Sequence, residues 1–259
     1  MPLISSENVR PNAKRRSGAA VSLLAILSLL GVATLSGAQA ALAEPALCIA
    51  EPCFEPDDYS IDDADSPWVV VNKQRPLSEL KYVPANLAKP AFAKPRTNNP
   101  YGLLLAKPAA DAFVSLAAAA KKAGAGDIFM QSAYRSYNYQ VSVHSGAVAR
   151  LGLKAGEALA ARPGHSEHQT GLAVDVAAIG QGCTIQVCFG TTRAGRYLAK
   201  YAYKYGFIIR YPNGQTPITG YQYEPWHLRY LGVGLATEMH DTGVTVLESF
   251  WGLEPAPSY

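Results

Sequence analysis

Apolar and polar positions alternate with two distinct periods along this chain, and the two periods mark out its elements. A three-to-four residue period over 109–123 puts Phe113, Leu116 and Ala120 on one face and predicts a helix closed by Gly124. A second helix is expected over 139–151, capped by Asn138 and ended by Gly152, with a short one over 155–161 before Pro163-Gly164. The span 192–205 repeats the helical period, with Tyr197, Leu198, Tyr201 and Ala202 as its buried stripe. Two-residue alternation marks strands at 172–176 and 226–230, and further strands are read at 68–71, 127–133 and 207–211. Residues 233–250 read as helical, interrupted by Gly243. Between 84 and 108 five prolines favour extended chain and loop. Short strands interleaved with helices point to an α+β fold: a small antiparallel sheet flanked by helices.

The two ends have other patterns. Residues 1–43 place Arg10, Lys14, Arg15 and Arg16 before an uncharged, mostly apolar run from 19 to 35, followed by two A-x-A sites at 38–40 and 41–43. This is the form of a secretory signal. It predicts an exported protein, extracellular or in the cell wall or periplasm, with no stable membrane span once the signal is cleaved; an uncleaved signal would leave an anchor. Residues 44–66 are acidic and aperiodic and are expected to be a solvated linker. The tail 254–259 is expected to fray, which leaves 67–253 as the folded domain.

Charge changes the picture little. The chain carries 23 Lys+Arg and 20 Asp+Glu, but four of the basic residues and one acid fall in 1–43, and the remainder is balanced. No basic patch or nucleic-acid motif is present, so a nucleic-acid partner is not expected. The four cysteines form two pairs with four residues between, Cys48/Cys53 and Cys183/Cys188. In an exported chain two local disulfides are the simplest pairing. A monomer is expected.

The chemistry concentrates in two stretches. His168 precedes Asp175 by seven residues, with Gly171 between, so the histidine is placed on a turn and the aspartate on the strand that follows. Some fifty residues on, Glu224 stands three before His227. Two imidazoles and two carboxylates suffice for a zinc with three protein ligands, an open position for water, and a carboxylate to take the water's proton. The other histidines, His144, His165 and His240, fit ordinary polar roles, although His165 is near enough in sequence to reach the same site.

Three blocks, Ser-Ala-Tyr-Arg-Ser at 132–136, Arg-Pro-Gly-His-Ser-Glu-His-Gln-Thr-Gly-Leu-Ala-Val-Asp at 162–175 and Glu-Pro-Trp-His-Leu-Arg-Tyr at 224–230, resemble the signature blocks of VanY-type D-alanyl-D-alanine carboxypeptidases. These belong to the LAS group of zinc peptidases. The likeness runs from about Trp68 to Gly252 and follows the family order. It implies His168, Asp175 and His227 as Zn2+ ligands and Glu224 as catalytic base. It implies Arg135 as the group that polarises the scissile carbonyl and binds substrate, and Gln140 and Ser166 as further substrate-binding residues. The zinc site is then expected in a groove across the sheet, and the partner is a peptidoglycan stem peptide that loses its C-terminal D-alanine. An L,D-carboxypeptidase or a peptidoglycan endopeptidase would use the same ligands and base. A non-catalytic wall-binding module is a further alternative, one that would have no use for Glu224.

Overall fold

The computed structural model describes residues 54–259. The signal segment and the Cys48/Cys53 pair lie outside the described residues. The described chain opens with an irregular stretch, largely exposed over 55–63 and buried over 68–73. It then forms β1 (Leu87–Ala88), α1 (Pro95–Asn98), β2 (Leu105–Ala106) and α2 (Lys107–Lys122). Next come β3 (Ile128–Ser132), α3 (Tyr137–Leu151), α4 (Leu153–Glu157) and β4 (Ala173–Ala178). The last part holds α5 (Arg193–Tyr201), β5 (Phe207–Ile209), α6 (Thr216–Thr219), β6 (His227–Tyr230), α7 (Val233–Thr242) and α8 (Leu247–Phe250).

The main sheet is antiparallel throughout, in the order β3-β4-β6-β5. All six residues of β4 are buried, because it lies between two strands and is covered on both faces. One face carries Ile128, Met130, Val174, Val176 and Leu228 into the core, where Phe113 and Leu116 of α2 and Leu198 of α5 meet them. Side chains alternate across a strand, so the opposite face presents Asp175 and His227, which sit directly opposite each other in the β4–β6 register. A break in the β3–β4 register between Met130 and Ser132 places Ser132 opposite Asp175, just before β3 hands over to Tyr134 and Arg135. The pleat and this bulge bring the two signature strands together.

Four local expectations are corrected. Residues 68–71 are buried as predicted but form no strand. Their backbone is satisfied otherwise: Val70 N–H donates to the Ile61 carbonyl at 2.9 Å, and Arg229 Nη2 donates to the carbonyls of Pro67 at 2.8 Å and Val69 at 2.9 Å. The described part of the acidic segment keeps its acids exposed but is anchored to the domain at apolar points. Phe54 lies against Trp68, Phe250 and Trp251, and Ala64 is in the core. The tail also docks: Ala256 is buried and donates its N–H to Ile218 O at 2.7 Å, while the Tyr259 hydroxyl accepts from Arg162 N–H at 2.7 Å. The cap of α3 is Ser136 rather than Asn138, its hydroxyl accepting from Tyr139 N–H.

Candidate active site

The turn that carries His168 is specified residue by residue. Ser166 leads into a 3-10 turn, Glu167–Thr170. Gln169 Nε2 fastens the neighbouring loop by donating to Leu80 O at 2.7 Å. Thr170 Oγ1 donates to Glu167 O at 2.6 Å and accepts from Leu172 N–H at 3.1 Å, closing the turn. Gly171 then reverses the chain at φ 70°, where a side chain is disfavoured. Its carbonyl accepts from Ala106 N–H at 2.8 Å, and a Cβ there would lie 2.9 Å from that same nitrogen. The turn therefore ends pressed against β2, and β4 follows with its third residue, Asp175, aimed into the groove.

His168, Asp175 and His227 each offer one ligand atom, and all three atoms lie within 4.8 Å of one another. Among the described residues this is the one such group of His, Cys, Asp or Glu. His168 Nδ1 lies 2.7 Å from Ala133 O, which can only accept, so Nδ1 carries the proton and Nε2 turns inward with its lone pair. His168 Nε2 and Asp175 Oδ1 are both buried without a well-formed hydrogen bond, although they lie 3.2 Å from Asp175 Oδ2 and 3.1 Å from His227 Nδ1 respectively. Buried polar atoms without partners are uncommon in proteins, and two convergent ones of ligand type fit a cation. Two imidazoles and a carboxylate are borderline donors that suit zinc.

The electrostatics follow from burial. Burial lowers His168 to about 4, with the Arg135 charge adding to the effect and Asp175 opposing it. For Asp175 burial favours the neutral acid, but the paired imidazoles hold it well below the usual carboxylate range. His227 is disfavoured as a cation by burial, yet Asp175 and Glu167 outweigh this and lift it to about 9. Glu224, three residues before it, has its Oε2 3.8 Å from His227 Nδ1. Burial raises Glu224 to about 8, with His227 and Arg135 opposing the rise and the negative charges of Asp175 and Glu167 adding to it. A divalent ion in the ligand group would oppose that rise and favour the carboxylate.

These residues line one groove of about 150 Å³, together with Arg135, Ser166, Tyr211, Tyr221, Leu159 and Ile185. Arg135 is held by its backbone N–H, which donates to His168 O at 3.1 Å, while its Nε is buried without a partner. Gln140 departs from the substrate contact implied by resemblance. It is fully buried beneath the groove wall, its Nε2 donating to Ala161 O at 2.7 Å, and it is not among the lining residues. Ala161 does line the groove, so Gln140 reaches the site through the backbone it supports. His165 is also outside: its Nδ1 pairs with Asn72 O at 2.9 Å and its ring packs edge-on to Tyr259. His144 faces Glu157, and His240 stacks on Tyr203.

Cys183 and Cys188 form a disulfide, as expected, and the loop it closes places Ile185 at the groove edge. One feature escaped the sequence reading. Glu167 lies wholly buried beneath the site, bonded to Arg210 and Arg229. The clue was two arginines in otherwise apolar strand sequence: buried guanidinium groups require a buried carboxylate.

A convergent His/Asp/His group beside a buried glutamate and an arginine, on one face of a small antiparallel sheet, defines a metal-dependent hydrolase. A family model described as VanY: D-alanyl-D-alanine carboxypeptidase matches residues 102–233. YodJ of Bacillus subtilis (strain 168), named as a carboxypeptidase, is 38% identical over 191 residues, which cover 74% of this chain and 69% of YodJ. The LdcB LD-carboxypeptidase structure superposes with a TM-score of 0.64 at 37% identity, covering 74% of this chain and 88% of that one. A mutant of the VanY D,D-pentapeptidase from a VanB-type resistance cassette, in complex with Zn(II), superposes with a TM-score of 0.58 at 31% identity, covering 71% and 97%. The chain belongs to the VanY-type D-alanyl-D-alanine carboxypeptidase family and is a zinc metallopeptidase.

Proposed function

We propose that this protein hydrolyses the C-terminal D-alanine from peptidoglycan stem peptides, with His168, Asp175 and His227 as its zinc ligands. The observation that carries the reading is the arrangement of Glu224 and Arg135 in the same groove as that ligand group. Zinc, when bound, supplies an activated water and a positive charge opposite the scissile carbonyl. Glu224 takes a proton from the water and returns it to the leaving amine, so one peptide bond and one water become a carboxylate and an amine. Arg135, with its unpartnered Nε, faces the carbonyl oxygen as negative charge develops on it. Ser166 lines the groove where the peptide's end would lie.

The likeness to LdcB supports a second reading, removal of D-alanine from a tetrapeptide by an L,D-carboxypeptidase. Mass spectrometry separates the two. A pentapeptide ending in D-Ala-D-Ala and a tetrapeptide ending in D-Ala are each incubated with zinc-loaded protein and with Glu224→Gln. Loss of one alanine from the pentapeptide alone supports the first reading, and loss from the tetrapeptide alone supports the second. Both peptides left intact by the wild type would sink the carboxypeptidase assignment. We place this activity outside the cytoplasm, a reading supported by the basic-then-apolar segment 1–43 and the Cys183–Cys188 disulfide.

A further inference from the structure

The two oxygens of Glu167 serve different partners. Oε1 accepts from Arg210 Nε at 2.7 Å and from Arg229 Nη1 at 2.9 Å. Oε2 lies 3.3 Å from His227 Nε2. The arginines are themselves fixed. Glu248 clasps Arg210 with both oxygens, at 2.7 and 2.9 Å, and takes a further hydrogen bond from Asn72 Nδ2 at 3.0 Å. Arg229 Nη2 is bound to the carbonyls of Pro67 and Val69. Turning the Glu167 carboxylate would break two charge-assisted bonds in a site sealed from water, so Oε2 stays where it is.

From this geometry we infer that Glu167 is a positioning residue for His227: its Oε2 receives the Nε2 proton, so Nδ1 bears the lone pair and faces the metal group. The inference rests on the zinc-site reading above. An imidazole binds a metal through one nitrogen while the other keeps its proton, and the acceptor of that proton sets the ring's tautomer and orientation. His168 has a backbone carbonyl for this purpose, from Ala133. His227 has a carboxylate, a stronger acceptor that also makes the ring a better donor to a cation. The strand register agrees. His227 and Arg229 are two residues apart on one face of β6, and Glu167 spans both. His227 Nδ1 then lies 3.1 Å from Asp175 Oδ1, on the inner side of the ring.

The rival role is purely structural: Glu167 neutralises two buried arginines and does nothing for the metal. Glu248 supplies the control, since it pairs with Arg210 and touches neither histidine. Zinc affinity is measured by competition with a chromophoric chelator for the wild type, Glu167→Gln and Glu248→Gln. Nitrogen-15 spectra of histidine-labelled, zinc-loaded wild type report which ring nitrogen of His227 is protonated. The expected result is a protonated Nε2 in the wild type, zinc affinity lower by about 10- to 100-fold in Glu167→Gln, and little change in Glu248→Gln. Wild-type affinity in a folded Glu167→Gln overturns the inference, as does a His227 proton on Nδ1. Should Glu167→Gln fail to fold, the wild-type tautomer decides alone. A wild type that binds no zinc removes the ligand assignment itself, whereas zinc-binding wild type with an unaffected Glu167→Gln removes only the role of Glu167.

Discussion

Gly171→Ala tests whether the turn that delivers His168 is as tightly specified as its geometry implies. Two costs add. At φ 70° an L-residue is disfavoured by about 1–2 kcal/mol. The new Cβ would also stand 2.9 Å from Ala106 N and 3.1 Å from Leu87 Cδ2. The first of these atoms is backbone, and it is the donor to the Gly171 carbonyl, so relief of the clash stretches or breaks that hydrogen bond, worth about 0.5–1.5 kcal/mol. The sum is about 1.5–3.5 kcal/mol. Gly180 provides the matched control. Its φ is also 70°, but nothing lies within 4 Å of its ideal Cβ, so Gly180→Ala carries the conformational cost alone. Urea denaturation of both variants in excess chelator keeps metal linkage out of the comparison. Gly171→Ala should lose about 0.5–1.5 kcal/mol more than Gly180→Ala, roughly 1–6 °C in melting temperature for a domain of this size. Equal losses would refute the argument that contact with β2, rather than backbone conformation, fixes the turn. The zinc-loaded Gly171→Ala protein should in addition bind its metal more weakly, since His168 is three residues upstream on the same turn.

Other predictions use the same contacts. Glu224→Gln should retain zinc, measured by elemental analysis, and lose about 10²- to 10⁴-fold in kcat; retained activity would remove the base assignment. Glu248→Gln should cost about 3 kcal/mol at neutral pH, the low end for a broken buried pair because Glu167 still holds Arg210. Burial favours neutral Glu248, but Arg210 and Asn72 prevail and hold it below the usual carboxylate range. Its stabilisation is thus present above about pH 4.3 and lost as pH falls through the lower folded value. Acid unfolding should therefore be less steep in Glu248→Gln than in the wild type, and parallel curves would contradict the pairing. Removing the Cys183–Cys188 disulfide with paired serine substitutions frees the loop that holds Ile185 at the groove edge. KM for the stem peptide should rise more than kcat falls, and unchanged steady-state kinetics would show that the loop does not touch substrate.

The main elements were legible because each satisfies itself locally or pairs through a strong period. The helix at 107–122 and the alternation through Asp175 are of this kind, and the site follows from them: a turn, a strand, and a second strand in register place His168, Asp175 and His227 together. What could not be read is where polar groups find partners far away in sequence. Residues 68–71 look like a strand because they are apolar and β-branched, but a strand needs a backbone neighbour, and here an arginine 160 residues from Val69 takes that part. Gln140 is assigned to substrate by resemblance alone, yet its side chain is buried and its Nε2 holds the Ala161 carbonyl. Glu167 is the same lesson seen from inside the site. Next to a histidine on a polar turn it reads as a solvated acid, and only Arg210 and Arg229, from segments some 40 and 60 residues on, reveal that it is buried. Arginines in or directly after largely apolar strands are therefore a readable signal. Each demands a carboxylate, and when one carboxylate answers two arginines and still has an oxygen for a ligand histidine, the stability of the sheet and the geometry of the metal site depend on a single side chain.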